Sequence, residues 1–203
     1  MGQSVGFGGA AEYPFPLARG MPTRGSELPP HVPADCPWSI VLGVDPGTSV
    51  LGYGALVQRA GGPRLLAAGT IRAPRSRDVA ERLGAIRSLA DELLRRLRPA
   101  VVVVEKAFSA RNVQSAFRIG EGRGVVLAAA ACSGARVAQY APAAAKKALV
   151  GNGQADKAQV AAMVAAELGV PDELLGLDAT DALALALAHV YKERFRATLD
   201  RAR

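Results

Sequence analysis

Four acidic side chains stand where a chain can bring charge together. Asp45 follows a short apolar run, Ile40-Val41-Leu42-Gly43-Val44, and Pro46-Gly47 then turns the chain. Glu105 follows an unbroken β-branched run, Val101 to Val104, as expected of a strand covered on both faces. Carboxylates at the ends of neighbouring strands converge at one edge of an open α/β sheet, where such folds put their ligands. Taken singly, each also fits an ordinary solvated strand end. Asp178 and Asp181 are three residues apart at the head of a helix that continues, Ala182 to Ala188, almost wholly apolar. That spacing puts both on one face, about one turn apart.

Asp178 alone fits the common role of a helix N-cap. Asp181 does not share that explanation: an unpaired carboxylate at the head of a buried helix is costly, so a cation near both is the economical reading. An oxygen-only donor set, with no Cys or His cluster, suits a hard ion such as Mg²⁺ or Mn²⁺ and not zinc. Four carboxylates balance two divalent ions. Such a pair, roughly 4 Å apart, activates a water and stabilises the leaving oxygen of a phosphodiester.

The elements that must position these acids follow from pattern. Leu51 to Val57 and Leu65 to Ile71 read as strands joined across Ala60-Gly61-Gly62-Pro63, giving three antiparallel strands with Ile40–Val44. Residues 78–97 place Val79, Leu83, Ile86, Leu93 and Leu97 at helical spacing, and Pro99 stops the helix. A helix from Val113 to Cys132, a strand Arg136–Tyr140, and helices Pro142–Val150, Asp156–Leu168 and Asp178–Arg194 complete the chain. A meander followed by βαβ units implies an α/β fold with a mixed five-stranded sheet flanked by helices. Residues 1–38 hold six Gly and seven Pro without an apolar period, so they read as a mobile, disordered extension. The domain is placed at 39–195, with a flexible tail at 196–203.

With 203 residues, 50% hydrophobic and 21% charged, the chain suits one globular domain plus an extension. The longest weakly polar run, Gly124 to Ala135, falls short of a membrane span. Two distant cysteines, Cys36 and Cys132, and the lack of a signal pattern disfavour secretion and point to the cytoplasm. Charge is uneven: residues 1–38 carry two arginines against three acids, so the remainder holds +8 of a net +7. That excess favours a polyanionic partner such as nucleic acid, although it also fits a solvated basic surface.

Gly43-Val44-Asp45-Pro46-Gly47-Thr48-Ser49 with Gly52-Tyr53-Gly54, Glu105-Lys106-Ala107-Phe108 with Asn112, Gly120-Glu121-Gly122-Arg123-Gly124, Gly151-Asn152-Gly153-Gln154-Ala155-Asp156-Lys157 and Asp178-Ala179-Thr180-Asp181-Ala182-Leu183-Ala184 together resemble the RuvC family of bacterial Holliday-junction resolvases. The likeness is colinear from about Ile40 to Tyr191. It implies a ribonuclease-H-like fold and a homodimer that nicks opposed strands of a four-way DNA junction symmetrically, leaving 5′-phosphate and 3′-hydroxyl ends. It also implies work with the RuvA-RuvB branch-migration complex. The family's metal-binding acids fall on Asp45, Glu105, Asp178 and Asp181, with two Mg²⁺ ions expected per subunit and Mn²⁺ as a substitute. Its junction-wedging aromatic falls on Phe108, and its basic residues on Lys146 and Lys157; Arg111 and Lys147 lie beside them and are taken as DNA contacts too.

Other readings have their own residues. Asp45-x-Gly47-Thr48 also resembles the first phosphate loop of actin-like kinases and ATPases, but the second Asp-x-Gly-Gly loop and second lobe are missing from this sequence. A non-catalytic junction-binding module would normally have lost one of the four acids. Another ribonuclease-H-like nuclease is harder to separate; the Phe108 loop and the segment 151–157 favour the resolvase. His189 reads as a helix-surface or packing residue, Cys132 as a small apolar residue at a helix end and Trp38 as an anchor for the extension. The run Ala128–Ala131 fits a helix packed either on a second subunit or within its own.

Overall fold

A computed structural model describes residues 28–73, 78–106, 113–171 and 175–203. Five strands, β1 (Ile40–Pro46), β2 (Val50–Arg59), β3 (Gly62–Arg72), β4 (Val101–Glu105) and β5 (Arg136–Tyr140), form one sheet in the order β3-β2-β1-β4-β5. The first three make an antiparallel meander, and β4 and β5 run parallel to β1. Both Asp45 and Glu105 lie inside their strands, one residue and no residues from the end, and not just beyond them as the turn signals suggest.

Five helices cover the two faces: α1 (Val79–Leu97), α2 (Val113–Cys132), α3 (Pro142–Val150), α4 (Lys157–Leu168) and α5 (Leu177–Arg201). Ile40, Leu42, Val44, Val102 and Val104 pack with Ile86, Leu93 and Leu97 of α1 and Val126, Ala129 and Ala130 of α2. The alternate residues Val41, Val101 and Val103 pack with α3, α4 and α5. Period-two alternation continues to the strand ends, so Asp45 and Glu105 share the α5 face. The same layering buries Ala129 and Ala130 within the subunit, while Ala128 and Ala131 of the alanine run stay exposed.

Helix α5 lies against the middle of the sheet because glycine makes room for it. A Cβ at Gly43 would come 1.9 Å from the Ala182 carbonyl oxygen. The helix reaches Arg201, so the segment 196–203, expected as a flexible tail, is helical over most of its length. Its last turns are exposed and are held by helix propensity, since Lys192 to Arg201 contains neither Gly nor Pro.

The expected boundary at residue 38 also moves. Val32 is buried, its N–H donates to the Arg96 carbonyl at 2.8 Å, and Arg96 Nη1 donates to the Pro29 carbonyl at 3.0 Å. Leu28, Cys36 and Trp38 pack on the same core, so residues 28–38 form a strap across α1. Trp38 is the expected anchor, with the Arg59 guanidinium 4.6 Å from its ring centroid.

Candidate active site

The four acids are brought to one edge by the sheet and one helix. Across the β1–β2 ladder Asp45 faces Gly52. On the covered face a Cβ at Gly52 would lie 2.3 Å from the Asp178 carbonyl oxygen and 2.9 Å from Asp178 Cβ. Gly52 therefore seats the first turn of α5 beside Asp45. The N-cap of α5 is Gly176, without a side-chain cap bond, so capping does not consume Asp178. Glu105 ends β4, the parallel neighbour of β1.

Electrostatics show that the charges feel one another. The Asp45 carboxyl is pushed up to about 6, first by burial and then by Asp181, Glu105 and Asp178, with Lys157 opposing. Glu105 is also raised, by burial and then Asp181, against Lys157 and Lys146. Burial and like charge both disfavour the anion, and the lysines at this edge offset them only in part. Part of the compensation comes from Lys157, whose Nζ lies 2.7 Å from Asp181 Oδ2; that bond holds its own pKa above the ordinary lysine value.

Lys157 is placed by a capping box: the Asp156 side chain accepts from the Gln159 N–H at 2.8 Å, and Gln159 Oε1 accepts from the Asp156 N–H at 3.0 Å. Lys146 Nζ donates to the Ala155 carbonyl at 2.5 Å, tying α3 to the segment before α4. Lys146, Lys157, Glu105 and Asp181 line one cavity of about 260 Å³ floored by apolar side chains of α3, α4 and α5. Lys147, exposed on α3, is not part of that lining. Phe108 and Arg111 lie outside the described residues.

The donor set here is carboxylate oxygen. Among the described residues no three His, Cys, Asp or Glu side chains are drawn into a ready-made ion shell, and Asp181 is paired with Lys157. The acids fit a hard cation by donor type, and Asp45 and Glu105 also by their raised carboxyls, with Lys157 holding part of the place of positive charge. A larger cleft of about 650 Å³ opens at the other end of β4, between α1 and the α2–β5 turn. Its one carboxylate, Asp91, is paired with Arg87 at 2.7 Å, so size does not mark the chemistry.

His189 packs and does not reach the acids: it is 1% exposed, with Nδ1 2.8 Å from the Tyr140 hydroxyl and Nε2 3.3 Å from Arg136. Cys132 is exposed at the end of α2 and not packed. Sequence reasoning gave no role to Gly52, nor to Arg123, whose Nε donates to the Glu105 carbonyl at 2.9 Å. For Gly52 the signal was available, since glycine inside a strand often marks a close approach.

A mixed sheet of this order with carboxylates at one edge under a helix defines a nuclease of the ribonuclease-H-like class. The family model for crossover junction endodeoxyribonuclease RuvC matches residues 41–189. The chain is 43% identical over 155 residues to the crossover junction endodeoxyribonuclease RuvC of Solidesulfovibrio magneticus, covering 76% of this chain and 91% of that one. The Thermus thermophilus RuvC structure superposes with a TM-score of 0.70 at 36% identity, covering 77% of this chain and 96% of that one. The structure of T. thermophilus RuvC in complex with Holliday junction substrate gives 0.69 at 34% identity, with the same coverage. This chain belongs to the RuvC family of crossover junction endodeoxyribonucleases. Among the described residues no helix is long and apolar enough to cross a membrane.

Proposed function

We propose that the chain resolves four-way DNA junctions by hydrolysing one phosphodiester in each of two opposed strands, leaving 5′-phosphate and 3′-hydroxyl ends. The observation that carries the reading is the convergence of Asp45, Glu105, Asp178 and Asp181 on one sheet edge, with the Asp45 and Glu105 carboxyls raised first by burial and then by the neighbouring acids. These four would hold two Mg²⁺ ions, or Mn²⁺ in their place, which supply activation of the attacking water and relief of charge on the leaving oxygen. The protein's own contribution is placement. Gly52 seats Asp178 against Asp45, the α4 capping box aims Lys157 at the acids, and Lys146 fixes the wall between α3 and α4. Lys157, and Lys146 beside it, then meet phosphate oxygens as the acids take up metal, with Lys147 and Arg111 as outer contacts.

Phe108 stacks on an unpaired base at the junction centre, a contact worth about 1–3 kcal/mol. Two subunits act together, because a C₂ homodimer matches the two-fold symmetry of the junction with one site per opposed strand. The exposed apolar side chains Val113 and Phe117 on α2 support that pairing. RuvA-RuvB is the partner that would deliver the junction.

The test is cleavage of a synthetic mobile four-way junction, a linear duplex and an RNA:DNA hybrid, with Mg²⁺ and with chelator. Paired nicks confined to the junction and dependent on Mg²⁺ are expected. Preferential cutting of the RNA strand would move the chain to a ribonuclease H.

A further inference from the structure

Both catalytic strand ends are braced from the side opposite the carboxylates by one turn of α2. A Cβ on Gly122 would come 2.7 Å from the Gly47 carbonyl oxygen, so the helix rests on the turn that follows Asp45. The next residue, Arg123, is half-buried, and its Nε donates to the Glu105 carbonyl at 2.9 Å while its Nη2 donates to Gln139 Oε1. The β1–β4 register ends at Val44 and Val104, one residue short of Glu105. The carboxylate-bearing residue thus stands past the last paired position on its β1 side and is laddered only to Tyr140 of β5, with the Lys106 N–H donating to the Tyr140 carbonyl at 2.7 Å; a strand end held from one side depends on what else supports it.

A guanidinium suits this task because its planar fork reaches two acceptors at once without losing its charge, which an ammonium on a flexible stem does less well. The carbonyl of Glu105 on β4 and the amide of Gln139 on β5 are those two acceptors. Alternation along β4 sends the Glu105 side chain to the α5 face while α2 covers the other. Arg123 therefore holds Glu105 without competing for its carboxylate.

We propose that Arg123 is a positioning residue of the nuclease site, clasping the ends of β4 and β5 so that the Glu105 carboxylate stays in place relative to Asp45. This rests on the nuclease reading above. Loss of the clasp leaves all four acids present but one of them mobile, and the effect is on metal affinity and on the cleavage step, not on the grip on DNA.

The experiment compares Arg123→Ala, Arg123→Lys and Gln139→Ala with Arg96→Ala, a half-buried arginine that ties the N-terminal strap to α1 far from the acids. Three quantities are measured on each folded variant: Mn²⁺ affinity by calorimetry without DNA, junction affinity in EDTA, and single-turnover cleavage at saturating protein across a Mn²⁺ series. Arg123→Ala should lose about 10–100-fold in Mn²⁺ affinity or cleavage rate, as is usual when the support of a metal ligand is removed. Junction affinity in EDTA should hold. Arg123→Lys should recover only part of the loss, and Gln139→Ala, which cuts one arm of the fork, should move the same quantities less. Arg96→Ala should lower the melting temperature alone.

If Arg123→Ala behaves like Arg96→Ala, the residue is a structural brace and the proposal fails. A drop in junction affinity with the saturated rate kept makes Arg123 a DNA contact, which also overturns it. Should Arg123→Ala not fold, Arg123→Lys and Gln139→Ala decide by the same criteria. Wild-type protein that binds no Mn²⁺ and leaves the junction intact rejects the nuclease reading and the proposal with it; a cleaving wild type with unaltered variants rejects the proposal alone.

Discussion

Lys157 Nζ stands 2.7 Å from Asp181 Oδ2 and joins the first residue of α4 to the second turn of α5 at the mouth of the site. The lysine side chain is 69% exposed, and ion pairs that open to water contribute about 0–1 kcal/mol. The pair therefore adds little to folding, and its importance lies in placing an ammonium where carboxylates crowd. Lys157→Ala should change the melting temperature by little. It should weaken junction binding in EDTA, flatten the log–log salt dependence by about one counterion and slow cleavage. A salt series on wild type and variant checks this, and an unchanged slope would remove Lys157 from the DNA contacts.

The raised carboxyl of Asp45 carries a signed consequence for stability. Its ordinary value is 3.8 and its folded value about 6, so between these pH values the folded chain keeps a proton that the unfolded chain has released. Below pH 3.8 both states hold it and the group costs nothing; as pH rises through 6 the full penalty appears. Asp45→Asn should then stabilise the metal-free protein at pH 7 to 8, by on the order of 1–3 kcal/mol, with the gain fading toward pH 4. Cleavage should fall by orders of magnitude while junction binding in chelator is kept or improved. Denaturant melts in EDTA from pH 4 to 8 measure the first effect. A variant that is less stable at pH 7, or that loses binding together with cleavage, would make Asp45 a structural group.

What was legible beforehand divides along physical lines. Asp45 and Glu105 could be read because an apolar run ended by a turn is a local signal, and strand alternation then assigns the face. The three-residue spacing of Asp178 and Asp181 is local in the same sense, although Asp178 proved not to be the N-cap, which is Gly176. Contacts between distant segments were not legible. The strap of Leu28, Val32, Cys36 and Trp38 hides in a proline-rich stretch because it packs without a regular period. His189 is buried by Arg136 and Tyr140, 53 and 49 residues away. The last turns of α5 keep Phe195 and Leu199 exposed, so their helix is not marked by a buried face.

The strap leads to a prediction about chain length. Residues 28–38 bury Val32 and bring Leu28, Cys36 and Trp38 onto the α1 core, with two backbone carbonyls bonded across. Fully burying one such aliphatic side chain is worth about 1.5–3 kcal/mol. A chain beginning at Ser39 should melt well below one beginning at Leu28, by several degrees at least, while its junction affinity at 20 °C stays close. Equal melting temperatures would show that the strap is dispensable and return the domain boundary to residue 38.

Two glycines with opposite surroundings separate site geometry from stability. Gly52 has the Asp178 backbone at 2.3 Å from the position of an added Cβ, whereas Gly84, exposed on α1, has nothing within 4 Å. Gly84→Ala removes backbone freedom from an exposed helix position and should stabilise the protein by about 0.5–1 kcal/mol, with cleavage unchanged. Gly52→Ala cannot be absorbed by a side-chain rotation, because the nearest atoms are backbone, so the head of α5 must move away from Asp45. Cleavage should then fall by at least tenfold, since a displacement of about 1 Å at a reacting centre costs on that order or more, and Mn²⁺ affinity without DNA should fall with it. Calorimetric Mn²⁺ titration, single-turnover cleavage and thermal melts on the two variants read all of this. A folded Gly52→Ala protein that keeps wild-type Mn²⁺ affinity and rate would show that Asp178 does not need its seat beside Asp45, and the four-carboxylate site would lose that member.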